Sequence, residues 1–267
     1  MKGKQQFIRI VKDFYDKEGR HTLPWRKTTD PYKIAVSEIM LQQTQVARVI
    51  EKYQSFLKLF PNVSALAKAP LKDVLEAWSG LGYNRRAKFL HKMAQVIVRD
   101  YNGRFPKTIL GLEALPGIGP YTAGAIAAFA YNMPVSMIET NIRTVYIHHF
   151  FQNQTDVTDE NLLKIITETT DLEHPRIWYW ALMDYGSDLK SRGIKTHRAS
   201  KHYVKQSAFI GSKRQIRGAV IKALLGGPKT LPQLIRLLEK DKDSIASVLK
   251  DMIAEMLVRK EGTRYSL

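Results

Sequence analysis

The sequence predicts an all-α fold, a substantial helical body followed by a smaller domain of helices and one hairpin, and three observations predict it. Apolar residues recur at i, i+3 and i+4 through nearly every periodic segment, the mark of helices with one buried face. Pro61, Pro70, Pro106, Pro116 and Pro134 fall in the gaps, where helices begin and end. No strand–helix–strand alternation and no repeat at a fixed period interrupts the pattern. With 267 residues, 44% of them apolar, the chain can bury one large core and one smaller one.

Taken in order, Phe7, Ile8, Ile10, Val11 and Phe14 make the apolar face of a first helix. A longer run, Ile34 to Phe56, reads as a second, and Pro31 is placed to start it. Leu71–Trp78, Arg85–Tyr101, Ile109–Ala114, Leu162–Thr169 and Ile177–Leu189 continue the pattern. From Asp188 to Arg217 the character changes, with nine basic residues against one acid, Asp188. That stretch reads equally as a solvated linker and as a strip that contacts phosphates. Helices at Ile216–Leu225, Leu231–Lys240 and Ser244–Leu257 then precede a hairpin over Val258–Tyr265 with a Glu261-Gly262 turn. Three helices and a short hairpin suggest a winged-helix-like domain, a module that reads DNA or packs against a partner equally well.

The formal net charge of +17 favours a polyanionic partner, because each neutralised phosphate releases counterions. Ribosomes, acidic proteins and membrane surfaces satisfy the same charge. There is no cysteine, which excludes disulfides and thiolate metal sites and fits a cytoplasmic protein. The N-terminal stretch through Arg20 lacks the apolar core of a signal peptide. The most apolar segment, Ala123–Ile138, is broken by Asn132 and Pro134 and is too short to span a bilayer, so no membrane partner is expected.

The most informative string runs from Leu115 through Pro116-Gly117-Ile118-Gly119-Pro120-Tyr121-Thr122 to Ile126. Two glycines two apart allow a tight hairpin and close backbone approach to a ligand. The helix that follows offers its N-terminal amides and dipole to a phosphate. Ala123, Gly124, Ala125, Ala127 and Ala128 let that helix pack closely against a neighbour.

With Leu23-Pro24-Trp25, Pro31-Tyr32-Lys33, Ser37-Glu38 through Val46, Trp78-Ser79-Gly80-Leu81-Gly82-Tyr83 and Met183-Asp184-Tyr185-Gly186 in the same order, the chain resembles the adenine DNA glycosylase branch of the endonuclease III superfamily from about Phe14 to about Leu189. The resemblance implies the helix-hairpin-helix DNA glycosylase fold. It implies one helical subdomain at 29–135 and a second built from 1–28 and 136–207; the winged-helix-like domain read from the helix and hairpin pattern takes 213–267. It places Glu38 as the catalytic acid, and the apolar neighbours Val36, Ile39, Met40 and Leu41 suit a carboxyl whose pKa must rise. Tyr121 and Asn141 complete the implied catalytic set. Gln42, Gln43 and Tyr83 match positions that enter the duplex beside a flipped base. Thr44, Arg86, Gly117, Gly119, Tyr121, Thr122 and Lys201 are further DNA contacts expected on the same grounds.

The chain departs from the family at two places. Glu139 stands where the family has its catalytic aspartate, one methylene longer. The four cysteines that hold an iron–sulfur cluster are absent, and Ser191–Ser207, with His197 and His202, replaces their loop. Those histidines are expected to be polar or phosphate-facing rather than metal ligands. No cofactor is expected beyond a monovalent cation at the hairpin. Tyr121 occupies the position where bifunctional relatives carry a lysine, so base removal without strand cleavage is expected. Asn84 stands where adenine enzymes commonly have a second tyrosine, and the C-terminal segment looks unrelated to the domain that inspects 8-oxoguanine. The expected activity is therefore excision of a mispaired base from duplex DNA by a monomer. Adenine opposite guanine or 8-oxoguanine leads, thymine or uracil opposite guanine comes second, and non-catalytic binding of damaged DNA comes third.

Overall fold

Short polar side chains and prolines set where the helices start. Asn62, Thr108, Thr158, Ser212, Thr230 and Asp241 each accept a backbone N–H from the first turn they precede. Proline opens two further starts, where a missing N–H costs nothing, and follows Thr230 at a third. The computed structural model describes residues 2–204 and 211–267. In chain order the helices are α1 Lys2–Glu18, α2 Pro31–Leu41, α3 Val46–Leu59, α4 Val63–Lys68, α5 Leu71–Ala77, α6 Arg85–Asp100, α7 Ile109–Glu113 and α8 Pro120–Tyr131. They continue as α9 Thr140–Phe150, α10 Asp159–Thr169, α11 Pro175–Ser191, α12 Lys213–Leu225, α13 Leu231–Leu238 and α14 Lys242–Ala254. Three short strands, β1 Lys229–Thr230, β2 Arg259–Glu261 and β3 Arg264–Ser266, complete the set. Among the described residues no helix is long and apolar enough to cross a membrane.

The expected single helix over Ile34–Phe56 is two helices. The chain turns at Gln43, whose φ of 54° is left-handed. Arg86 is the cause: its Nη1 donates to Ile39 O (2.7 Å), Met40 O (2.9 Å) and Gln42 O (2.6 Å), capping carbonyls that a continuing helix would have bonded internally. Other helix starts fall up to three residues before the apolar periodicity begins, because first turns such as Asp159-Glu160 are polar. Strand β1 was not foreseen. It pairs antiparallel with β3, giving the sheet order β1-β3-β2 behind α12–α14, a winged-helix arrangement.

The chain forms two compact units. The first comprises Met1–Glu38, Pro106–Ala114 and Ile118–Lys205. Its core joins α1, α9 and α11, with Phe7 edge-on to Trp178 (5.9 Å) and Phe150 (4.9 Å). Gly186 lets α11 touch the start of α9, since a Cβ there would collide with the Asn141 carbonyl. Asp184 anchors the N-terminal segment: Arg26 pairs with both of its oxygens (2.6 and 2.8 Å) and Arg20 N donates to it (2.7 Å). Burial pushes this carboxyl up, but the two arginines outweigh burial and hold it below the usual range.

The second unit comprises Ile39–Phe105, Leu115–Gly117 and Gln206–Leu267. Phe56, Leu66, Leu75, Trp78, Leu90 and Met93 fill its core. The C-terminal segment, expected as a domain of its own, packs within this unit. Lys88 Nζ donates to Glu255 O, Arg217 pairs with the Glu255 carboxylate, and Arg214 donates to the Tyr83 hydroxyl. The unit boundaries also cut the 29–135 span expected as one subdomain. Helix α8 belongs with α11, where Arg176 on α11 donates to Phe129 O (2.6 Å) and Ala130 O (3.2 Å).

Candidate active site

In the first unit four expected residues, Glu38, Tyr121, Glu139 and Asn141, come together. Glu38, in the last turn of α2, is 6% exposed. Its Oε2 accepts a hydrogen bond from the Tyr121 hydroxyl at 2.8 Å. Burial pushes Glu38 up to about 7, against the opposing pull of that hydrogen bond, and the nearby charge of Glu139 adds to the rise. Tyr121 is the second residue of α8, placed there by Pro120 at the helix start. Burial raises its own pKa well above the usual value, so it is a fixed donor to Glu38.

Glu139 is the N-cap of α9, with extended backbone (φ −132°, ψ 166°). Glutamate is a rare cap because its side chain is long for the job. Here the extra methylene folds back, so that Oε2 accepts from Asn141 N at 2.6 Å and Oε1 from Asn141 Nδ2 at 3.0 Å. Burial raises this carboxyl too, but the amides of Asn141 and Ile142 and the charge of Lys190 favour its ionised form. The two acids are opposed differently: the Tyr121 hydrogen bond and the charge of Arg26 work against burial at Glu38, whereas a helix start and the ammonium of Lys190 do so at Glu139. Asn141 Oδ1 is buried and accepts nothing among the described residues. Lys190 was counted only in the basic stretch. Its place four residues after Gly186 on α11 puts both on one helix face, and that spacing was the signal available for it.

A second group lies in the other unit. Gln43 and Tyr83 (φ 48°) are both non-glycine residues in the left-handed region, a strained conformation that clusters at functional sites. Gly80 and Gly82, with φ of 93° and 70°, make the turn around Tyr83. Arg86, expected on DNA, is committed to the protein instead. Besides the α2 carbonyls it bonds Leu81 O, Gly82 O and Thr44 Oγ1, each at 3.1 Å, so it clamps both loops at once. Thr44 also donates to Gln42 O (3.2 Å). In the hairpin, Gly117 is left-handed (φ 78°) and a Cβ there would meet Phe89, whereas the space beside Gly119 is open. Thr122 is buried in the first turn of α8, and Lys201 is exposed.

Residues 36–168 match the family described as HhH-GPD superfamily base excision DNA repair protein. These residues, just under half of the chain, carry an HhH-GPD domain. The chain is 41% identical over 182 residues to an adenine DNA glycosylase of Buchnera aphidicola subsp. Baizongia pistaciae, covering 68% of this chain and 52% of that protein. It is 50% identical over 124 residues to an adenine DNA glycosylase of Mycobacterium tuberculosis, covering 46% and 41%. The chain thus spans about half the length of the curated relatives it matches. Among solved structures, a thermostable thymine-DNA glycosylase superposes with a TM-score of 0.64 at 26% identity, over 70% of this chain and 87% of that one. An endonuclease III–DNA covalent intermediate gives 0.58 at 18% identity, over 67% and 84%, a likeness of fold alone.

An HhH-GPD protein of the endonuclease III kind implies an iron–sulfur cluster, and the donor set here does not fit one. The chain has no cysteine, and the described residues hold no group of three or more potential metal ligands. Polar contacts secure the corresponding loop. Thr196 Oγ1 donates to Thr144 O (2.8 Å), His197 Nδ1 meets Thr144 Oγ1 (3.3 Å), and Arg143 joins Ser200 (2.8 Å) to Asp159. Val157 N and O bond Ala199 O (3.0 Å) and Lys201 N (3.1 Å), which gives Lys201 a backbone role in this loop.

Proposed function

We propose that the chain is a monofunctional DNA N-glycosylase of base excision repair, acting as a monomer on a flipped base in duplex DNA of the nucleoid. The observation that carries the reading is the buried Glu38 carboxyl, poised near 7 by burial and held by Tyr121. Half-protonated at neutral pH, it can give its proton to a ring nitrogen of the base as the N-glycosidic bond breaks and the bonding electron pair leaves with the base. The cationic sugar that remains is stabilised by the Glu139 carboxylate, whose ionised form the start of α9 and Lys190 favour against burial. Water then adds to the sugar and its proton returns to Glu38. Tyr121 has no amine to form a Schiff base, so the strand stays uncut. The glycines of the hairpin and the start of α8 would hold a phosphate, with a monovalent cation as the one ion this arrangement calls for.

Adenine is the base we assign, opposite guanine or 8-oxoguanine, because curated relatives matched at 41% and 50% identity are adenine DNA glycosylases. Thymine or uracil opposite guanine is the second reading, favoured by the fold likeness to a thymine-DNA glycosylase. Single-turnover base release on duplexes carrying adenine opposite guanine or 8-oxoguanine, and thymine or uracil opposite guanine, separates the two. Release from none of them, with tight binding retained, would contradict a glycosylase. Covalent trapping by borohydride would contradict the absence of strand cleavage.

A further inference from the structure

Lys190 carries a half-buried ammonium that has no hydrogen-bond or ion-pair partner among the described residues. A charge taken part-way out of water is usually paired, so its neighbours matter. Backbone geometry brings it to Glu139. At Gly186 an added Cβ would stand 2.3 Å from the Asn141 carbonyl oxygen, so α11 touches the first turn of α9 there. Glu139 caps that turn, and Lys190 lies one turn further along the same face of α11. The chain beyond α11 then returns onto the next turn of α9, where Thr196 Oγ1 donates to Thr144 O (2.8 Å) and His197 Nδ1 meets Thr144 Oγ1 (3.3 Å). Lys190 sits on the stretch between those two attachments.

The other charges around it are taken. Arg20 is bound to Asp184 through Nε (2.7 Å) and Nη2 (2.6 Å), Arg143 is paired with Asp159, and Arg192 is paired with Asp188. Lys195 and Arg198 are exposed, where salt screens them. Burial and the charge of Lys190 hold His197 below its usual value, so it is neutral at pH 7 and above. The titratable groups that face Glu139 from α2 and α8, Glu38 and Tyr121, bring no positive charge. Lys190 is the cation whose field reaches Glu139, and in a water-poor site such a field acts beyond contact distance.

Resting on the glycosylase reading, we propose that Lys190 is a positioning residue that acts through Glu139, favouring its charged carboxylate beside the sugar cation, and that it sets the lower pH bound of base release. The two acids then limit the reaction from opposite sides: protonated Glu38 bounds the rate from above and ionised Glu139 from below.

Single-turnover release against pH tests this, with Lys190→Met and Lys190→Arg beside the wild type. Methionine keeps the length of the side chain and removes its charge. The acid limb of Lys190→Met is expected to move up by about one pH unit, with the alkaline limb in place. Lys190→Arg should restore the wild-type acid limb, and duplex affinity at pH 8 should stay within about twofold in both variants. The titration of the Glu139 carboxyl carbon, read by 13C NMR in the free protein and assigned with Glu139→Gln, should move upward by the same amount in Lys190→Met. That readout needs no base release. A Glu139 titration that stays in place overturns the proposal. So does an unmoved acid limb in Lys190→Met together with a salt slope of binding lowered by about one, which would make Lys190 a phosphate contact. A shifted Glu139 titration in a protein that releases no base from any duplex contradicts the glycosylase reading and leaves the coupling of Lys190 to Glu139 standing.

Discussion

Glu38 and Tyr83 are both held in unfavourable states, but by different physics. At Glu38 the stress is electrostatic: a carboxyl is taken out of water and given one donor, so its proton is retained to about 7. At Tyr83 the stress is conformational: a non-glycine residue is left-handed, with the guanidinium groups of Arg86 and Arg214 each 5.5 Å from its ring centroid. The first arrangement stores a proton for chemistry. The second fixes an aromatic ring at a loop tip. Acid chemistry therefore tolerates little change in charge and the wedge little change in backbone, and each side of the comparison can be broken separately.

The largest effect is expected at Glu38. Glu38→Gln should lower single-turnover base release by about a thousandfold, in line with the loss of a general acid, while duplex affinity is kept. The same change should stabilise the fold at alkaline pH. Because the folded-state pKa lies above the unfolded value, the wild type is fully stable only below about 4.5 and loses stability as pH rises through about 7. The gap corresponds to roughly 3 kcal/mol. Urea unfolding at pH 8 should thus show Glu38→Gln as the more stable protein, with the advantage gone at pH 4.

Next comes Glu139→Ala, expected to reduce release about a hundredfold and to cost about 1 kcal/mol through the lost cap. Glu139→Asp should keep the cap and most of the rate, because aspartate is a common N-cap residue. Equal losses in both variants would show that the length of the carboxylate arm matters more than its charge.

On the conformational side, Arg86→Lys should destabilise the second unit by about 3 kcal/mol in urea unfolding, since an ammonium cannot serve carbonyls of both loops. Base release should fall with stability rather than with pH. The smallest effect is expected for Tyr121→Phe. Losing the donor that favours ionised Glu38 should move the alkaline limb of the pH–rate profile upward, with the rate at pH 6 changed less than tenfold.

What the sequence made legible follows the same division. Helices show in apolar periodicity, so α1, α5, α6 and α11 are found to within a few residues. The α2–α3 break is invisible to that method: four residues of turn leave the apolar period in phase, and the Arg86 bonds that end α2 come from a helix more than forty residues away. Strand β1, two residues long, carries no pattern of its own. The grouping of α8 with α11 depends on Arg176, whose partners lie more than forty residues back. At the site, Glu38 was singled out by resemblance and then given a physical basis by burial. The capping role of Glu139 was hidden because cap statistics favour shorter side chains. Lys190 was masked by the basic residues around it, though its spacing from Gly186 was on view. Arg86 was expected on DNA from the resemblance, and the carbonyls it bonds on two loops leave no mark in the apolar periodicity.

The most direct test of the central claim is the pH dependence of single-turnover release for the wild type and Glu38→Gln on the preferred duplex. The wild-type rate is expected to fall tenfold per pH unit above a midpoint near 7, and the Glu38→Gln rate to be much slower and without that limb. A wild-type rate flat from pH 6 to 9, or one that Glu38→Gln leaves unchanged, would contradict that claim.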